Sequence, residues 1–418
     1  MKTRTPLLIA CLTGCGLVSS FVFAQETADE VPGIVPDAVI SVPSSRDIEL
    51  GIGYVADDAY FFGRYNGLQT EGPYLIGDID AEKFTEDGRF WNIRGTNLGL
   101  ESRYLHLEGG KQGRHKFFLE WDELPNYMNN TGFTPFQGVG GDNLTLPSGF
   151  DIGPPVSDLF SLERETKRER IKAGAGFVVK QRWLFDVDFS HENKTGVDAI
   201  GGAIGSSVQN TNASLLPQPI DQDTNLVNAT VRYAGDNGQL DLKYHASIFD
   251  NNFASLTWQD PFNPTTGTGS LALAPDNEFH QLSLTGGYTL PYKTLLTGVG
   301  SIGRMTQNEQ FQPYWVSGST ADLPTPSLDG EVWLLNGQLK LASRPTTKLR
   351  LNAGLQYEER DNQTPVVQSF NYVIMDSGTV SPDPVENNPY SHKKNRFNID
   401  ANYRFNAISS LRGGYKYE

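Results

Sequence analysis

The chain has 418 residues, 49 of them Asp or Glu against 34 Lys or Arg, for a formal charge of −15 at neutral pH. That balance argues against nucleic acid as a partner. Only two cysteines occur, Cys11 and Cys15, so beyond them the chain can hold neither a disulfide nor a thiolate metal site, and no Cys-x-x-Cys-His of its own for covalent haem attachment.

Residues 1–24 read as a signal peptide: Lys2 and Arg4 precede an apolar run from Leu7 to Ala24, with a small residue at the cleavage point. Cleavage before Gln25 would leave 394 residues with a net charge of −17 and no cysteine. Leu-Thr-Gly-Cys ending at Cys15 is a competing lipoprotein-type site, but a second apolar stretch, 17–24, follows it. Residues 25–47 contain three prolines and no clear periodicity, and are expected to form an irregular periplasmic N-terminal arm.

From there the spacing predicts strands at 48–56, 73–83, 89–97, 102–109 and 114–122. Glu86-Asp87-Gly88 and Gly110-Lys111-Gln112-Gly113 supply two of the turns. A Gly-, Pro- and Asn-rich loop is expected over 123–162. Residues 163–172 then pack eight charged side chains into ten positions, which suits a solvated loop base.

Period-two alternation dominates the remainder. Leu240, Leu242, Tyr244, Ala246 and Ile248 share one face, while Asp241, Lys243, His245 and Ser247 share the other. Residues 349–358 and 397–405 repeat this, and shorter versions cover 185–190, 227–233, 282–290 and 333–341. Each face holds for about nine residues, the number a tilted strand needs to cross the apolar part of a bilayer. No apolar run long enough for a membrane helix follows the leader.

Tight turns near Gln181, Asp236, Pro291, Pro345 and Asn406 recur at intervals of 55, 55, 54 and 61 residues. Polar stretches at 193–224, 250–277, 308–330 and 360–391 lie between them. Short turns alternating with long loops mark an outer-membrane barrel, the short set periplasmic and the long set outside. A soluble sheet protein would alternate too, but gives no reason for so many strands at near-constant hairpin spacing without helices. The expected fold is therefore all-β: a large antiparallel transmembrane β-barrel of the outer-membrane type over 48–418.

On this reading Asp186, Asp188, Asp241, Lys243, His245, Arg350, Glu358, Asp400 and Arg404 point into the lumen. Their mixed signs suit either water or a hydrophilic protein as the filling. Gly298-x-Gly300-x-x-Gly303 matches a dinucleotide fingerprint only formally, because it sits inside an alternating strand. The six histidines, His106, His115, His191, His245, His280 and His392, show no metal-binding spacing, although His106 and His115 flank one hairpin and could approach each other across it. His106 and Glu108 could instead touch a partner inside the barrel. No catalytic, cofactor-binding or metal-ligating set emerges, so the chain is not expected to be an enzyme.

Four stretches carry a specific likeness: FFGRYNGLQTEGPYLIGDIDA at 61–81, WNIRGTNLGLESRYLHLEGGKQGRHKFFLEWDELPNYMNNTGFTPFQGVGGDNLTLP at 91–147, ERETKRERIKAGAGF at 163–177 and HENKTGVDAIGGAIG at 191–205. Together they resemble the MtrB/PioB family of decahaem-associated outer-membrane proteins, densely over 54–205 and mostly by barrel pattern beyond. The resemblance implies a barrel of more than twenty strands that sheathes a periplasmic decahaem or other multihaem c-type cytochrome. An extracellular multihaem cytochrome docks outside in some systems. This chain would bind no cofactor itself, since haem would be carried by the cytochrome. Arg64, Arg94, Arg103 and Arg114 would be placed to meet haem propionates or acidic partner surface, although lumen salt bridges holding adjacent strands would look the same, and 163–172 would be a cytochrome-contacting patch.

Two departures stand out. The Cys-x-x-Cys that some members carry near the mature N-terminus is absent, which leans toward the iron-oxidising side of the family. About fifteen strands is fewer than the family barrel uses, and the last residue is Glu418 rather than an aromatic, so a C-terminally truncated member is expected. The expected function is to sheathe and position the cytochrome for extracellular electron transfer across the outer membrane. The alternative is a passive porin or solute channel; an adhesion or assembly barrel has only the long loops behind it.

Overall fold

The computed structural model describes residues 44–418, apart from 152–155, 206–210, 263, 266, 314–322, 368–372, 376–378 and 381–384. The signal-peptide segment and most of the N-terminal arm lie outside the described residues. In chain order the strands are β1 (Ser44–Val55), β2 (Gly72–Phe84), β3 (Arg89–Thr96), β4 (Tyr104–Lys111), β5 (His115–Thr134), β6 (Asn143–Leu144), β7 (Phe160–Val179), β8 (Trp183–Gly205), β9 (Thr211–Ala234) and β10 (Gly238–Asn251). They continue as β11 (Ser255–Gln259), β12 (Thr268–Ala272), β13 (Asn277–Leu290), β14 (Thr294–Gln307), β15 (Gly330–Ser343), β16 (Leu349–Asn362), β17 (Val373–Met375), β18 (Thr379–Val380), β19 (His392–Arg404) and β20 (Ser410–Tyr417).

Fifteen of these form one sheet in which spatial order follows chain order, skipping only the short β6, β11, β12, β17 and β18. Every pair in it is antiparallel. Tight turns close the hairpins on one side. Lys180 and Gln181, and again Tyr292 and Lys293, are consecutive left-handed residues, the backbone whose twist matches that of the flanking strands.

The register sorts side chains by solvent preference. Trp183, Phe185, Val187 and Phe189 of β8 lie opposite Tyr233, Val231, Ala229 and Val227 of β9 and opposite Val179, Phe177, Ala175 and Ala173 of β7. The same face continues through Leu240, Leu242 and Tyr244 to Leu411, Tyr415 and Tyr417 of β20, and in the other direction to Ile48, Leu50 and Ile52 of β1. Ile52 is 84% exposed and Phe185 40%. An apolar surface running across fifteen strands far exceeds what a soluble monomer tolerates and is what hydrocarbon requires. This is the all-β, antiparallel wall of an outer-membrane barrel, as expected.

The structure corrects the expected loops. β5, β7, β8 and β9 have 20, 20, 23 and 24 residues, so strand occupies much of 123–162 and 193–224, and 163–172 lies within β7 rather than at a loop base. About ten residues of each strand stand beyond the apolar band on the long-loop side, roughly 30 Å along the strand. There neither face meets hydrocarbon, so alternation fades while backbone pairing continues.

The main buried cluster sits on this extension. Phe136, Leu144 and Leu146 from the β5–β7 connection meet Leu256, Trp258 and Leu273 from the β10–β13 connection over Leu216 of β9. β6, β11 and β12 form a small sheet that ties the two connections together. Leu216 and its cross-strand partner Ile200 share the polar-face parity, so the cluster packs on the inner side of the extended wall. Gly202 permits this approach: a Cβ there would lie 2.5 Å from Leu216 Cδ1 and 2.9 Å from Trp258 Cζ2.

Candidate functional site: the inner wall

Because side chains alternate across a sheet, the residues between the apolar positions share the opposite face. All nine lumen residues expected from the sequence have this parity. Their neighbours divide the inner wall into four sectors of different charge.

On β1–β4 the inner face is acidic. Asp47 lies opposite Asp80 and Glu49 opposite Asp78, with Glu82 and Glu108 nearby on the same face. Arg94 Nε reaches Asp80 Oδ2 at 3.4 Å.

From β5 to β10 the wall is ion-paired. Arg170 Nη2 donates to Glu120 Oε1 at 3.3 Å and Asp122 Oδ2 at 3.1 Å, and Lys172 Nζ lies 3.3 Å from Asp188 Oδ1. Asn228 Nδ2 donates to Asp188 at 3.0 Å, while His245 Nδ1 and Asn228 Oδ1 are 2.9 Å apart. These pairs cross between neighbouring strands, so they fix side-chain positions along the wall as well as neutralising charge. Being partly solvated, each contributes at most about 1 kcal/mol.

Over β13 and β14 the inner positions are uncharged: Ser283, Thr285, Thr297 and Ser301 share that face with Phe279, Leu295, Val299 and Met305. The last three strands are basic. Arg350 and Arg360 of β16, Lys394, Arg396 and Arg404 of β19, and Arg412 and Lys416 of β20 outnumber Glu358, Asp400 and Glu418. The sequence reading named only four of these ten; the signal available was Lys394 and Arg396 at alternate positions near the start of β19.

Of the arginines singled out from the sequence, only Arg94 lies on the inner wall. Arg64 belongs to the β1–β2 connection, donates to Asn126 Oδ1 at 2.9 Å and stacks over the rings of Phe61 and Tyr65. Arg103 pairs with the nearly buried Glu123 at 3.2 Å, and Arg114 stands at the tight β4–β5 turn. Within 163–172, Arg168, Arg170 and Lys172 face inward and the intervening residues outward.

His106 and His115 do not meet. His106 is inner and lies 3.4 Å from Glu108 Oε2, whereas His115 pairs with Lys111 on the outer face. The β4–β5 register pairs even residues with even and odd with odd, so His106 and His115 point to opposite sides of the sheet, which removes the approach considered from sequence. Gly298, Gly300 and Gly303 lie within strand β14 rather than at a helix start.

Among the groups outside the bilayer with shifted acidities are Asp87 and Tyr60. The Thr85 hydroxyl bonds to Asp87 Oδ1 at 2.6 Å in the β2–β3 turn and, with Arg89 beside it, holds that carboxyl below its ordinary range. Burial, reinforced by Glu165, pushes the Tyr60 phenol up.

Across residues 54–418 the chain matches the family described as outer membrane beta-barrel porin, MtrB/PioB. The chain belongs to the MtrB/PioB family. It is 31% identical over 392 residues to outer membrane protein MtrB of Shewanella baltica (strain OS185), an alignment covering 91% of this chain and 54% of that protein. The chain thus spans about half the length of the curated relative it matches. Among solved structures, OmpT of Vibrio cholerae aligns at 11% identity and a TM-score of 0.30, covering 90% of this chain and 99% of that one. The siderophore receptor PirA from Acinetobacter baumannii aligns at 8% identity and 0.31, covering 91% and 60%. Family membership and the fifteen-stranded wall make this a multi-pass β-barrel of the bacterial outer membrane, and the family is one of porin-type barrels rather than enzymes.

Proposed function

We propose that this MtrB/PioB-family wall sheathes a periplasmic multihaem c-type cytochrome and positions it for electron transfer across the outer membrane. The carrying observation is the inner face itself: between β5 and β10 a polar surface held by cross-strand ion pairs, backed by an apolar face of the same strands. A hydrophilic protein can pack against such a wall, while the apolar side separates its redox centres from lipid. Residues 25–418 contain no cysteine, so covalently attached c-type haem has to come from the partner. Family membership supports the same reading. An extracellular multihaem cytochrome at the long-loop side would extend the chain of centres outward.

A passive porin is the second reading, favoured by the uncharged inner face of β13 and β14. Mild-detergent purification from outer membranes, followed by haem staining and an absorbance spectrum, separates the two. A sheath brings a multihaem band in stoichiometric amount and conducts ions in a planar bilayer only after that band is stripped. A stable haem-free preparation that conducts from the start would establish the porin.

A further inference from the structure

The cations of the inner wall are matched by carboxylates in its middle strands and outnumber them in its last strands. Between β5 and β9, Arg168 has Glu192, Arg170 has Glu120 and Asp122, and Lys172 has Asp188. At the other end of the sheet, one carboxylate serves three cations. Glu418 lies 3.0 Å from Lys394 Nζ, 2.9 Å from Arg396 Nη2 and 3.3 Å from Lys416 Nζ.

Beside this cluster is an open cavity of about 330 Å³, bordered by Lys340, Gln356, Arg396, Asn398 and Lys416. Gly354 forms its floor: a Cβ there would stand 2.4 Å from Asn398 Oδ1, so the absent side chain lets the amide lie across the strand. Cations, the three amides of Gln338, Gln356 and Asn398 and a glycine floor make a recess that accepts hydrogen-bond acceptors carrying negative charge. The chain as a whole is strongly acidic, and the inner face of β1–β4 carries an excess of carboxylates, so this local surplus of cations runs against the general balance.

We infer that the inner face of β15–β20 is the docking sector for a carboxylate-rich surface of the protein held in the lumen, and that it fixes that protein's rotation within the wall. The inference rests on the sheath reading and adds to it which side of the partner meets which strands. Carboxylates would be attracted to the Lys340–Arg396–Lys416 recess and repelled by the Asp47–Asp80 side, so the wall discriminates between orientations by charge. Arginine contributes paired donors to a carboxylate, and the lysines contribute mobile point charges.

The test uses the full chain with whatever haem-staining protein it retains from outer membranes. Lysine acylation of the complex and of the stripped barrel is read by peptide mass spectrometry. Lys340 and Lys416 should be protected about tenfold or more in the complex, whereas Lys293, at a tight turn, should react equally in both. In parallel, K340Q/R396Q/K416Q should retain the haem protein about tenfold less well at moderate salt, and K340R/K416R should retain it fully. Equal labelling of Lys340 and Lys416 in both preparations, or undiminished retention by the triple variant, would overturn the docking sector while leaving the sheath standing. Absence of any haem protein from the unmodified chain would overturn both. The labelling arm needs no substitution, so it decides the matter even where the triple variant fails to fold.

Discussion

Asp47 and Asp80 face each other across the β1–β2 ladder on the inner wall, and Glu49 and Asp78 do the same two residues along. Like charges placed directly opposite weaken a strand pair. Asp47→Asn should therefore stabilise the β1–β2 hairpin by a few tenths of a kcal/mol, a gain that shrinks as salt is raised. Urea unfolding followed at low and high ionic strength checks both parts; an unchanged or lowered midpoint at low salt would contradict the repulsion.

The apolar band predicts sharply different outcomes for adjacent residues. Val187 faces outward in the middle of the band on β8 and is 49% exposed, while Asp188 faces inward against Lys172. Val187→Arg should cost about 2–4 kcal/mol of folding stability in lipid, whereas Asp188→Asn should cost no more than about 1 kcal/mol. Refolding yields into vesicles, read by heat-modifiable gel mobility, compare the two.

Trp258 is the keystone of the loop cluster and is 1% exposed. Trp258→Ala should cost about 3–5 kcal/mol at that site, but locally, because the cluster stands on the strand extensions rather than inside the band. Proteolysis should cut residues 253–273 faster in the variant while the strands within the band stay protected. Global loss of the folded barrel would show that the cluster supports more than its own connections.

The β2–β3 turn should be sensitive to acid. Its Asp87 carboxyl is held low by the Thr85 hydroxyl and by Arg89, so its stabilising contribution is present above the ordinary carboxylate range and is lost as pH falls through the depressed value. Thr85→Val removes the first of these causes. Hydrogen-exchange protection in the peptide spanning residues 84–90, taken relative to the intrinsic rate at each pH, should fall on acidification in the unmodified protein, and should be low already at neutral pH in the variant. Equal, pH-independent protection in both would refute the role.

What could be read from the sequence follows where two faces of a strand meet different media. Residues 240–248, 349–358 and 397–405 alternate because one side meets hydrocarbon and the other a polar lumen, and the structure places strands there. The ends of β8 and β9 have hydrocarbon on neither side, so nothing there enforces alternation, and a polar stretch looks like a loop. Residues 163–172 misled for the same reason: charges occur on both faces of β7. The Trp258 cluster was hidden because its apolar members come from two separate connections, each rich in Asn, Gly and Pro, and only folding brings them together. The basic sector needed the register of three strands before its cations could be seen to share a side.

Because every strand of the large sheet bonds to its nearest neighbour in the chain, the wall can be laid down one hairpin at a time. Each newly placed edge templates the next, with no distant segment awaited. Removing a β13–β14 pair, for instance, would leave the pairing instructions on either side intact, and the sheet could rejoin across the gap with the same face toward lipid. Such an architecture can gain or lose circumference by duplication or deletion of two-strand units, which makes girth an easily inherited variable.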